Sequence, residues 1–293
     1  VNEAGGVQIT AGAAITVSSD SSLTLDQGSS LTATDLDLAA NANSGGLFMG
    51  LLANPEARIR VDGATLTASG NVKLTANATA TVNENGDTFF GNGLAATVVT
   101  SFGVADVTVT GNAVITAGGT LDLAAHADTN ITATVQNSTV KLLTVFAATD
   151  PRVTVDGNAQ LFAGGNLTAV AQGLLNISAS STPNTGGNSS IDAAVVNINV
   201  VDIGIPVVVP AGFTSGAETT IGGAAVIKAA SASFKADDSV TASASANGGV
   251  AGSAGATLAL TVVDIDTAAV LTGAASVEAT SVEVAAVSQR SLD

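Results

Sequence analysis

Cysteine, tryptophan and tyrosine are absent from this 293-residue chain, and only 8 phenylalanines, 5 prolines and 1 histidine are present. Without cysteine there is no disulfide framework and no thiolate metal site. With so few aromatics, any core must be built from Val, Ile, Leu and Ala, whose small side chains suit a narrow and regular interior. Basic residues are scarce as well, 8 against 24 acidic ones for a net charge of −16, which repels phosphate backbones and makes nucleic acid and anionic membrane surfaces poor partners. The catalytic signatures H-E-x-x-H, G-x-x-x-x-G-K-[ST] and G-x-S-x-G are missing, and a chain whose one histidine is His126 is poorly equipped for a triad. The sequence is therefore read as non-enzymatic, with His126 as an exposed or corner residue.

What is present is apolar and repetitive. Hydrophobic residues make up 46% of the chain, enough to exclude compositional disorder despite 32 glycines. The stretch ADVTVTGNAVITAGGTLDLAA at Ala105 to Ala125 reads as three short strands with glycine corners at Gly111 and Gly118-Gly119. Copies are anchored on Ala11, Ala33, Ala68, Ala117, Ala163, Ala229 and Ala279, the last two one residue shorter at the corner. Neighbouring anchors are 22, 35, 49, 46, 66 and 50 residues apart. Period-two alternation runs throughout, and no window carries a sustained helical period with caps. The pattern predicts an all-β protein, a single-stranded parallel β-helix forming one continuous domain over residues 1–293.

If one turn takes roughly 22 to 25 residues, the longer intervals hold two turns, the second built by the apolar runs Leu94–Val99, Val140–Ala147, Ala193–Val201 and Ala256–Val263. That predicts roughly twelve coils and, at ~4.8 Å per coil, a rod on the order of 60 Å long. In the third strand of the template the outward residues are Thr16, Asp37, Lys73, Asp122, Thr168 and Glu283. Two turns apart, their charges would be separated by roughly 9.6 Å, about a Debye length. Loop excursions are expected near 83–93, 180–190 and 206–216, where Gly, Pro, Asn and Ser cluster. The most apolar window, Ile191 to Phe213, holds two aspartates, two asparagines and two prolines and is no membrane span.

The phrase G-x-A-x-[IL]-x-A-G-G-x-L-x-L at Gly111–Leu123, repeated at Gly157–Ala169 apart from its last position, resembles the repeats of large Gram-negative surface proteins. The family resembled is that of the filamentous-haemagglutinin-like and leukotoxin-type filamentous adhesins, over roughly Ile9 to Val287. That resemblance implies a right-handed β-helix, export to the cell surface and an adhesive or structural role. The family's secretion domain is not among these residues, and VNEAGG carries no basic-then-apolar leader, so the stretch reads as a segment of something longer.

Calcium is the one cofactor the sequence suggests. Asn83, Asn85 and Asp87, with Gly86 for a tight loop, offer closely spaced oxygen donors, and Asp237-Asp238 and Asp264/Asp266 are further acidic pairs. The threonine pairs Thr65/Thr67 and Thr108/Thr110 raise ice binding as a lesser reading. Asn-x-Ser/Thr triplets such as those at Asn130 and Asn176 are as common as the composition makes them. The expected function is a structural or adhesive rod whose terminal coils, Val7–Val17 and Val277–Val287, self-associate through their strand edges unless they are capped or continued by further coils of the same solenoid, and which touches host-cell, matrix or polysaccharide surfaces. A carbohydrate-binding or carbohydrate-cleaving β-helix is the alternative.

Overall fold

The computed structural model describes residues 7–46, 52–87, 94–136, 140–181, 191–198, 215–247 and 256–293. Among them there is no helix, and every pairing between strands is parallel. One winding of the chain is seen whole in Leu94–Thr110, Val114–Ala117 and Leu121–Gln136, and again in Val140–Val155, Gln160–Ala163 and Asn166–Ser181. The first strand of each winding joins sheet I, the short second strand sheet II and the third strand sheet III. Sheets II and III each stack seven strands, in sheet II from Gln8–Thr10 to Ser276–Glu278 and in sheet III from Ile15–Ser19 to Ser281–Leu292.

The register overturns the expected pitch. Ala33 pairs with Ala68, Ala68 with Ala117 and Ala117 with Ala163, so consecutive copies of the template lie one rung apart. An interval of 46 or 49 residues is thus one winding, with no separate alternate turn among the described residues. The apolar run Leu94–Val99 forms the opening part of the same sheet I strand that continues into the template, and it pairs with Val140–Val145 on the next winding. Among the described residues the seven copies of the template stack one to a rung. The error has a physical source: the shortest interval, 22 residues, belongs to an end where the strands are only 3 to 5 residues long, whereas mid-rod strands in sheets I and III reach 16 or 17.

Those long strands enclose two cores. Period-two alternation turns Val107, Val109, Ile115, Leu121, Leu123 and Ala125 into a triangular interior between the three sheets, all of them buried. Farther out, the early part of sheet I and the late part of sheet III close on each other alone, burying Val99, Leu143 and Val145 against Ile131, Val135 and Ile177. Fully burying one such side chain is worth about 1.5–3 kcal/mol, and the repetition of the file in every winding makes that gain cumulative. A polar seam divides the two cores, marked by buried Thr129, Thr149 and Asp238.

Corners between sheets I and II need left-handed backbone. Gly63, Gly111, Gly157, Gly223 and Gly273 hold φ of 60 to 70° and stack into one column. The Gly118-Gly119 corner works differently, by close approach. A side chain on Gly118 would run into the Ser69 carbonyl oxygen, and one on Gly164 into that of Gly118.

Candidate functional site

Among the described residues an open hollow of about 610 Å³ lies on sheet II, between Thr116, Phe162, Lys228 and Glu278, and files of outward side chains run along the rod. In sheet III the file is Thr16, Asp37, Lys73, Asp122, Thr168, Ser233, Glu283, each paired with the next at one rung. The expected two-turn separation of these charges is therefore wrong, and a different device relieves the repulsion. Lys73 stands between Asp37 and Asp122, the Thr168 hydroxyl donates to Asp122 Oδ1 at 2.6 Å, and Glu283 takes Ser233 Oγ at 3.1 Å and Lys235 Nζ at 2.9 Å. Those donors hold the exposed Glu283 carboxyl below its ordinary value, the Lys235 hydrogen bond first.

A second file was invisible in the sequence. On sheet I, Arg58, Asp106, Arg152 and Glu218 occupy one register position on four successive windings, alternating in sign. Arg152 Nε pairs with Asp150 Oδ1 at 2.6 Å within its own strand, and Thr108 Oγ1 donates to Asp106 Oδ1 at 2.9 Å. Burial pushes both carboxyls up, that of Asp150 to about 6, against the pull of the arginines. Three of the eight basic residues, Arg58, Arg60 and Arg152, thus gather on one face, although they are scattered along the chain. Asp150 is only 4% exposed, which removes it from contact with a bulky substrate.

The remaining sequence-predicted residues fall in less concentrated places. Asn83, Asn85 and Asp87 belong to the sheet III strand Val72–Asp87 and pair with Thr132, Thr134 and Gln136; they do not form the tight loop expected of a calcium site, and Gly86 is a ladder residue. Asn83 and Asn85 are exposed on one face, with Asn85 Oδ1 taking Gln136 Nε2 at 2.9 Å. Among the described residues no three His, Cys, Asp or Glu side chains converge on a metal-sized site. His126 is half-buried in an outward polar file with Asn77, Gln172 and Asp237. Asp237 and Asp238, adjacent in sequence, point to opposite faces, Asp237 out and Asp238 in. Thr10, Thr32, Thr67 and Thr116 form a threonine file on sheet II that Phe162 interrupts. Residues 88–93, 182–190 and 206–214 of the expected loop excursions lie outside the described residues; 83–87 and 180–181 are strand.

Both ends of the stack present open core. Val282 and Val284 of the last winding are 47% and 43% exposed, whereas their partners one rung earlier, Ala232 and Phe234, are 3% and 0% exposed. At the opposite end Ile9 is 41% exposed against 2% for its partner Leu31, and an apolar hollow of about 100 Å³ opens between Ile9, Val17, Leu23, Leu25, Leu31 and Leu38. Compared with family models, curated proteins and solved structures, the chain matches none.

Proposed function

We propose that the chain is a non-catalytic, extracellular rod of a bacterial surface adhesin or filament, a right-handed β-helix that grows by adding parallel coils at its ends and offers its polar side-chain files to extended partners. The exposed inward face of the terminal windings carries this reading. Val282 and Val284 face the interior at the open end, where a further coil would cover them, and the hollow around Val17 and Leu38 offers an apolar surface of matching chemistry at the other end. Those faces would be covered either by further coils of the same solenoid or by a second copy, and contact between the unlike ends of two copies is heterologous and extends as a filament. Export and adhesion rest on the resemblance of the Gly111–Leu123 phrase to filamentous adhesin repeats.

Sedimentation and electron microscopy of the purified chain over a range of concentrations test the assembly. End-to-end fibres that lengthen with concentration are expected, and Val282→Lys with Val284→Lys should reduce them to short rods without loss of β structure. Wild-type rods that remain single at every concentration would sink the assembly.

A further inference from the structure

We propose that Asp238 is a proton-operated latch that seats the last winding on the one before it, fastening that end of the rod more firmly in mildly acidic surroundings than at neutral pH. The residues opposite Asp238 on the earlier windings are Ala42, Ala78, Ala127 and Gly173, small side chains facing the interior where the two cores meet. A carboxylate enters this file only where its neighbour lacks a side chain. A Cβ on Gly173 would collide with Asp238 Oδ1 and would lie 2.9 Å from Thr149 Oγ1, so these two oxygens line one small void.

Asp238 is 1% exposed. Its Oδ2 accepts the Ala217 N–H at 2.8 Å and the Thr267 hydroxyl at 3.2 Å. Ala217 leads into Glu218–Ile221 of the same winding and Thr267 into Ala268–Leu271 of the next, so one oxygen ties the two windings together. Oδ1 has no hydrogen-bond partner among the described residues. A bare, buried carboxylate oxygen is costly, and the cost disappears when a proton occupies it.

The charged groups around it are few. Asp237 follows it on the outer face of its own strand, and Arg290 on Ser281–Leu292 supplies the facing cation, its guanidinium also donating to the Ile265 carbonyl at 3.0 Å. From sheet I and the preceding winding it is faced by Thr149 and Gly173. Burial pushes the Asp238 carboxyl up to about 6, outweighing the Ala217 and Thr267 hydrogen bonds and Arg290, with Asp237 adding to the rise. When protonated, Oδ1 becomes a hydroxyl beside Thr149 Oγ1; when ionised, it brings charge into the seam at an oxygen that no hydrogen-bond donor meets among the described residues.

Carboxyl-carbon NMR titration of Asp238, with amide hydrogen exchange over Thr267–Leu271, tests the latch. The expected result is a midpoint near 6 for Asp238. Opening of the last winding, corrected for intrinsic exchange, should be roughly tenfold to a hundredfold rarer at the acid side of that midpoint than at neutral pH. Asp238→Asn should abolish that pH response, whereas Asp237→Asn on the outer face should keep it. An Asp238 midpoint near 4 in the wild-type chain, or protection of Thr267–Leu271 that ignores pH, overturns the proposal even if Asp238→Asn does not fold.

Discussion

At the scale of single residues, the fold depends on where a side chain must be missing, for two different reasons. Gly157 sits at φ 70°, and a Cβ there would lie 2.9 Å from Gly111 N and 3.0 Å from its carbonyl oxygen on the winding below. Both the left-handed backbone and the close column penalise a substitution. Gly157→Ala should destabilise the chain by about 1–3 kcal/mol, read as a lower urea midpoint. Gly12→Ala is the internal comparison, since nothing lies within 4 Å of the added carbon, and it should change stability by less than ~0.5 kcal/mol. Equal effects from both substitutions would show that the glycine column does not constrain the turn. Gly111 was legible as a corner because it breaks an alternating run. Gly173 was not, because what it makes room for is the Asp238 side chain 65 residues later in sequence.

Among elements, strand pairing decides what neighbours what. Lys73→Glu would put three carboxylates, Asp37, Glu and Asp122, on successive rungs about 4.8 Å apart in place of an alternating file. A cost of roughly 1 kcal/mol at low salt is expected, shrinking at about 1 M salt where the Debye length falls to ~3 Å. Thermal melts at the two ionic strengths check it, and a salt-independent loss would point to lost packing instead. The same pairing explains how much could be read beforehand. Alternation and glycine corners are local, so parallel strands and the seven template copies were plain in residues such as Val107, Ile115 and Leu121. The pitch was not, because the template covers only the triangular part of each winding, and the returning arms of sheets I and III looked like separate turns. The Arg58, Asp106, Arg152, Glu218 file and the Asp238 contacts join residues tens of positions apart, with no local signal. Asp237-Asp238 read as an acidic pair, and only the period-two geometry of the strand sends one carboxyl out and the other in.

Across the whole molecule, the carboxyls with the largest upward displacement set the response to pH. Burial raises Asp150 and Asp238 to about 6 and raises Asp106 and Asp128 as well, from an ordinary value of 3.8. In the unfolded chain these groups release their protons near 3.8, whereas the folded chain keeps two of them bound up to about 6. Between those values the folded state binds more protons, so stability falls as pH rises from about 4 to about 6 and levels off above it. The net charge of −16 acts in the same direction, because protonation relieves self-repulsion. Salt separates the two causes: surface repulsion is screened, whereas the desolvation of Asp150 and Asp238, 4% and 1% exposed, is not. Urea unfolding should therefore show a higher midpoint near pH 5 than near pH 7.5, by roughly a few kcal/mol in stability, and most of that gain should survive in about 0.5 M salt. A gain abolished by salt would assign the effect to surface charge alone, and a midpoint that drops steadily on acidification would mean that these aspartates are ionised in the folded rod down to ordinary carboxylate pH.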